Sequence, residues 1–294
     1  MGKASRRKKV DPSKLKKKAI RPEIPFVERP YEGLANETEL VAMREIIPCA
    51  TMTARTTKEH GAVEFDFVTL LPDGHAAMIR GDGRILVGLQ NRFNSGDLSH
   101  DAAGALLAAI AQEDKGGDGV VVFDVRDAAP SLQDVLDPEG FGDMEIVQDF
   151  GYWFDPDQEL DAEMQEALEQ NRLDVVPTEE VPGVDHAYWC EMNRNFVRYV
   201  SDQPEHLLFT ALARLQAAGN AHMGEGSRFV GAFRACGIAI PVFELAEGVT
   251  AAECAKPAAA FAKALDAALK VKDPLTADER RARDGLVSRQ VTIR

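Results

Sequence analysis

The stretch TMTARTTKEHGAVEFDFVTLLPDGHAAMIRGDGRILVGLQ, residues 51–90, decides the fold class. Thr51 to Thr57 and Val63 to Leu71 are rich in β-branched and aromatic residues, the composition of half-buried strands. Pro72-Asp73-Gly74 and Gly81-Asp82-Gly83 supply turns before two further apolar runs, Ala76 to Arg80 and Arg84 to Gln90. The pattern predicts an antiparallel meander.

Helical signals flank it on both sides. Upstream, Asn36 followed by Glu39 reads as a helix start, and Leu40, Met43, Ile46 and Ile47 share one face until Pro48. Downstream, Asp97 or Ser99 caps a helix through Leu106, Leu107 and Ile110, which yields at Gly116-Gly117 to a strand at Val120 to Val125. Further on, Tyr188 to Val200 alternates like a strand, and Ser201 or Asp202 opens a helix through Leu208, Leu212 and Leu215. Ile238 to Leu245 is a glycine-bounded strand. Thr250 with Glu253 and Thr276 with Glu279 read as capping boxes, although Pro257 should break or restart the first of these helices. The fold class is α+β (mixed α/β), with antiparallel sheets flanked by helices. Four segments follow: a disordered basic arm (1–30), an N-terminal α/β half (31–150), an acidic helix with a connecting loop (151–185), and a C-terminal α/β half (186–294). The two halves are possible relatives, because Gly81-Asp82-Gly83 with Val87-Gly88 is echoed at the same spacing by Gly224-Glu225-Gly226 with Val230-Gly231.

Charge divides the chain more sharply than hydropathy does. Met1 to Arg21 holds ten Lys and Arg against Asp11, a net of +9; with −14 over all 294 residues, −23 remains on residues 22–294. Asp134 to Asp185 supplies most of that, with seventeen Asp and Glu against Arg172, a net of −16. Within it Leu160, Met164, Ala167 and Leu168 suggest an amphipathic helix with an acidic outer face.

Few motifs point to chemistry. Asp155, Asp157, Glu159, Asp161, Glu163 and Glu166 have the spacing of a calcium loop, but Leu160 stands where the turn needs glycine and Pro156 suggests a helix start. Both glycine-rich turns lack the phosphate-loop lysine and carry an acid instead. The six histidines form no paired metal motif, and Cys49, Cys190, Cys236 and Cys254 are too far apart for one, so reduced and mostly buried thiols are expected. A nucleophilic Cys/His site would need Cys236 or Cys190 to meet a histidine through the fold. Glu191, Asn193, Asn195 and Arg198 read as an exposed sheet face, and Arg280, Arg281 and Arg283 as a patch paired with neighbouring acids. Neither catalytic residues nor a cofactor or metal site is indicated.

The arm has a specific physical use. Clustered cations gain affinity for RNA by releasing its condensed counterions, with little sequence preference. The nucleic-acid-binding residues are therefore Lys3, Arg6, Arg7, Lys8, Lys9, Lys14, Lys16, Lys17, Lys18 and Arg21. No aromatic residue interleaves them before Phe26, so base stacking is not indicated. No apolar run follows the cations as in a secretory signal, no lipidation signal is present, and Ala102 to Ala111 is half a membrane span, so a cytoplasmic protein without stable membrane insertion is expected. The leading expectation is a non-enzymatic accessory protein on RNA or the ribosome. One alternative is a small-molecule enzyme with its site between the halves; another is an arm clamped on 134–185 of its own chain.

Arg29-Pro30-Tyr31-Glu32-Gly33-Leu34, Ile47-Pro48-Cys49-Ala50-Thr51, the stretch Gly224 to Leu245, and Pro274 to Arg294, together with the basic start Gly2-Lys3 and Ser5 to Lys9, resemble an actinobacterial protein family of unknown function. The resemblance covers nearly the full length. It implies a cytoplasmic protein with a basic tail and brings no catalytic residue with it.

Overall fold

In a computed structural model the chain is described over residues 23–288 and 290–292. The expected hairpins form: β1 (Ala50–Arg55) runs antiparallel to β2 (Glu64–Val68), with Thr51 opposite Val68, and β3 (Ala77–Ile79) antiparallel to β4 (Ile85–Gly88). The meander does not. β4 lies parallel to β2, with Phe67 opposite Val87, so it is inserted between β2 and β3. All four residues of β4 are buried, and such a strand is best served at the centre of a sheet rather than at its edge. With β5 (Gly119–Val121) and β6 (Met144–Ile146) the first sheet has the order β5-β3-β4-β2-β1-β6.

The second sheet is built from β7 (Thr178–Glu180), β8 (Ala187–Glu191), β9 (Asn195–Tyr199), β10 (Arg228–Ala235), β11 (Ile238–Glu244) and β12 (Gln290–Thr292), in the order β12-β10-β11-β9-β8-β7. The run read as one strand, Tyr188 to Val200, is the β8–β9 hairpin. Strand order is alike in the two sheets, each carrying its second hairpin beside its first. Direction is not: β11 is antiparallel to β9, whereas β4 is parallel to β2. The glycine echo also falls at different places, since Gly81 to Gly83 close the β3–β4 hairpin while Gly224 to Gly226 lead into β10. Shared turn chemistry accounts for it.

Helix α1 (Glu37–Glu45) is enclosed, six of its nine residues being buried, and it joins one core with the strands of the first half and with Tyr188, Val200, Ala235, Ile238 and Ile240 of the second. Asn36 does not cap it; its amide donates instead to Met52 Sδ at 3.6 Å. Helix α2 (Leu98–Glu113) is capped by Asp97, whose carboxylate accepts from the amides of Ser99 and His100. The short α3 (Leu132–Val135) packs beside it. Helices α5 (Glu205–Ala217), α6 (Ala251–Leu269) and α7 (Ala277–Val287) build a second core on the other sheet.

Both capping boxes are formed, at Thr250/Glu253 and Thr276/Glu279. Pro257 neither breaks nor restarts α6. Its ring sits against Gly224, where an added Cβ would come within 3.2 Å of it, so the close approach of the two needs glycine, and the helix runs through the proline without interruption. The acidic helix α4 (Ala162–Asp174) starts at the Asp161 cap rather than at Pro156 and has no fully buried residue; Met164, Leu168 and Asn171 are half-buried and Leu173 is exposed. Among the described residues no helix is long and apolar enough to cross a membrane.

Candidate functional site at the junction of the halves

Where the basic arm joins the body, the chain is pinned between the halves. Val27 N donates to Gly96 O at 3.0 Å. Arg29 donates through Nε and Nη2 to both oxygens of Glu37 at 2.6 and 2.9 Å, and Nη2 also reaches Asp202 O at 3.1 Å. Gln133 donates to Pro30 O at 2.8 Å, and Tyr31 is buried. Residues 27–30, placed in the 1–30 arm by the sequence reading, are thus fixed to both halves.

The opposing wall is the β10–β11 hairpin. Ala235 pairs with Ile238, leaving Cys236-Gly237 as a two-residue turn with φ of +46° and +77°. Positive φ at both central residues is the type I′ geometry that matches strand twist, and it usually selects Asn or Gly at the first position. Cysteine there is uncommon. Gly237 is required twice over: for its φ, and because a Cβ would lie 2.6 Å from Arg29 Cβ and 2.8 Å from Glu28 O.

Between these walls is a cleft of about 230 Å³. Phe26, Val27 and Glu28 line it from the arm root, Arg44 and Glu45 from the end of α1, Asn94 from the loop before α2, and Arg234, Cys236 and Gly237 from the hairpin. Cys236 Sγ donates to Glu45 Oε1 at 3.7 Å. Burial, followed by the negative charge of Glu45, pushes this thiol up to about 12. At neutral pH it is therefore a protonated thiol that donates a hydrogen bond, not a thiolate nucleophile. Arg44 donates through Nη1 to Leu89 O at 2.6 Å, while its buried Nε has no hydrogen-bond partner among the described residues. Arg234 is held by Glu205 at 2.6 and 2.7 Å.

A second hollow, of about 460 Å³, opens on the same junction and is bordered by Glu39, Asp143, Glu180, Asp185 and His186. His186, at φ +60°, donates through Nδ1 to Glu39 Oε1 at 3.2 Å. That hydrogen bond raises the imidazole pKa against the opposing effect of burial. Burial acts to raise the Glu39 carboxyl, but the hydrogen bonds from His186, from backbone and from Thr38 hold it below its ordinary value. Glu180 is raised by burial and by Glu39.

The ten arm cations from Lys3 to Arg21 lie outside the described residues. Of the other candidates, Cys236 meets Glu45 and not a histidine, and Cys190 lies beside Arg198. The polar set on β8 and β9 is not one surface. Glu191 and Asn193 are exposed, Asn195 donates to Val249 O at 2.8 Å, and Arg198 is half-buried with its buried Nε and Nη2 lacking a hydrogen-bond partner among the described residues. Arg281 pairs with Asp278, and Glu279 receives Arg214 of α5 at 3.3 Å. Asp155 accepts from the amide of Asp157 in a local turn, and among the described residues no group of three or more His, Cys, Asp or Glu could hold a metal ion.

Sequence reasoning missed the Cys236–Glu45 contact. A legible signal existed: Cys-Gly flanked by Phe229 to Ala235 and Ile238 to Phe243 is a two-residue loop between apolar runs. What no pattern carried is that α1 would end beside it.

No curated protein and no solved structure matches the chain. One family does, over residues 30–294, the whole body with both halves and the hairpin wall of the cleft: the chain belongs to DUF5926, a family of unknown function.

Proposed function

We propose that this protein is a non-enzymatic accessory factor that associates with RNA, or with the ribosome, through Met1 to Arg21. The observation that carries the reading is the opposition of a +9 segment to a body of −23. Such a body repels a polyanion, so attachment falls to the arm, whose affinity comes from counterion release. The anchoring of Val27, Arg29 and Pro30 supports it, because it gives the arm a fixed point of departure. The test is co-sedimentation of full-length and arm-deleted protein with ribosomes and with purified RNA at low salt.

A second reading, a small-molecule enzyme with its site between the halves, draws on one observation: Cys236 against Glu45 in the junction cleft. In that reading the thiol serves as a hydrogen-bond donor and does not attack. The arm clamped on residues 134–185 is a third, motivated by the −16 of that stretch; raising salt would then open a protease site near Arg21 in the absence of RNA.

A further inference from the structure

One edge of the first sheet is open: β5 pairs with β3 on one side and, among the described residues, with no strand on the other. The register shows which of its backbone groups are free. Arg80 N donates to Arg84 O and Gly88 N to Ala76 O, so the even-numbered positions along β3 bond to β4. Ala77 and Ile79 are left to bond their β5 partners, Val121 and Gly119. Val120 therefore turns its N–H and C=O to the open edge, and among the described residues no backbone hydrogen bond from outside the sheet reaches Gly119 to Phe123. Side-chain burial keeps the same alternation to the end of the run. Val121 is buried and Phe123 packs on Gly104 of α2, whereas Val120 is 40% and Val122 87% exposed.

An edge of this kind is a template for another strand, and proteins blunt it with lysine or proline. Asp118 to Val125, DGVVVFDV, contains neither. The flanking charge decides which strand fits. Residues 113–127 hold five acids, Glu113, Asp114, Asp118, Asp124 and Asp127, against Lys115 and Arg126, a net of −3, and Arg126 is already paired with Asp124 at 2.8 Å. Such a surface repels a polyanion. A second copy of the chain also fits poorly. The antiparallel register that sets Val120 against Val122 sets Asp118 of each copy against Asp124 of the other, and like charges directly opposite destabilise a pair. Arg126 offsets Asp124 alone, and two bodies of −23 still meet. An antiparallel strand with two apolar residues at alternate positions and a base at the next has no such conflict. Its apolar side chains lie beside Val122 and Val120, and its cation lies opposite Asp118.

We infer that the β5 edge adds an extended segment of a partner protein, antiparallel, in the pattern apolar-x-apolar-x-basic. Main-chain hydrogen bonds to Val120 and Val122 supply the affinity, and the alternate side chains and the base supply the specificity. The basic arm takes no part in this contact, so it stands apart from the RNA reading.

The test uses the full-length chain with a labelled peptide, Thr-Val-Thr-Val-Thr-Lys-Lys, and the same peptide ending in Glu-Glu. Peptide affinity is read by fluorescence anisotropy, and the edge itself by amide hydrogen exchange. In the free chain Val120 and Val122 should exchange fast and Val121 slowly; an excess of the lysine peptide should protect Val120 and Val122. The glutamate peptide should bind more weakly, and Val122→Pro, which removes an outward N–H, should weaken the lysine peptide on the order of tenfold. Slow exchange at Val120 in the dilute free chain overturns the inference, because the edge is then already covered. Val120 and Val122 left unprotected by excess lysine peptide also overturn it, as does equal affinity for the two peptides. Protection that rises with protein concentration in the absence of peptide overturns it as well, since the occupant is then a second copy.

Discussion

Gly237 and Arg29 touch so closely that residue 237 has no room for a side chain: a Cβ would stand 2.6 Å from Arg29 Cβ. This contact ties the hairpin of the second half to the root of the basic arm. Gly237→Ala is expected to cost about 1–3 kcal/mol, from the positive φ and from the clash with backbone at Glu28 O. Gly219→Ala is the control, since Gly219 has a similar φ of +74° and nothing within 4 Å of an added Cβ. Urea denaturation should show the larger loss at 237; equal losses would mean that the contact with the arm root adds nothing.

The Cys236 thiol should react slowly at neutral pH. Its pKa is raised, so its neutral form is favoured in the folded protein; that contribution to stability is complete below the ordinary thiol pKa of 9 and is lost as pH climbs from there towards 12. Alkylation by iodoacetamide should rise through alkaline pH without a plateau near 9. Glu45→Gln removes the neighbouring negative charge and should speed alkylation at a given pH. A Cys236 that reacts at neutral pH as fast as a free thiol would contradict the assignment of the thiol as a donor.

The His186–Glu39 pair links α1 to the start of β8 and should make the junction sensitive to pH. His186 has a raised pKa, so its contribution is full below 6.5 and disappears as pH rises through the higher folded value. Glu39 has a lowered pKa, so its contribution is present above 4.5 and disappears as pH falls through the folded value. Stability at the junction therefore peaks between the two folded pKa values, by about 1 kcal/mol or less for a partly exposed pair. Hydrogen exchange at Val200, whose amide donates to His186 O at 2.9 Å, reads it out. In His186→Ala the decline on the alkaline side should vanish, and its persistence would assign it to another group.

Arg198 is a half-buried cation whose Nε and Nη2 are buried without a hydrogen-bond partner among the described residues, and burial lowers its pKa. Replacing such a group with an apolar residue of similar length relieves the desolvation cost. Arg198→Met should leave stability unchanged or raise it by about 1 kcal/mol. A large destabilisation would show that the guanidinium has a partner in solution.

How much of this could be read beforehand depends on how local each signal is. Asp97, Thr250 and Thr276 are caps because capping needs only a side chain and the next three amides, and each does as its sequence says. The hairpins β1–β2 and β3–β4 are also local. The insertion of β4 beside β2 is not, because it is decided by which strand can bury all four residues. Asn36 fails as a cap because its backbone, at φ −109° and ψ 42°, is not in the extended region from which a cap oxygen reaches the first helical amides, while its Nδ2 donates to Met52, sixteen residues on. Pro257 does not interrupt its helix, and the close approach of its ring to Gly224, thirty-three residues earlier, is a contact that no local pattern shows. The Cys236–Glu45 contact spans 191 positions and was therefore invisible, although both of its elements were legible.

If the arm binds phosphates, its salt dependence can be counted. For single strands log K falls with log salt by about 0.7 per neutralised phosphate. Replacing Lys16, Lys17 and Lys18 with Ala should therefore flatten the slope by about 2. Fluorescence anisotropy of a labelled single-stranded RNA across a salt series gives the slope directly, and an unchanged slope would place the phosphate contacts elsewhere.

The most direct measurement of the central claim is co-sedimentation with ribosomes at low salt, comparing the full chain with a chain that begins at Pro22, with and without nuclease. The full chain should pellet, lose most of its pelleting on nuclease treatment or raised salt, and lose it equally when Met1 to Arg21 are removed. Equal pelleting of the two chains would contradict the account, because it would locate the attachment in the acidic body.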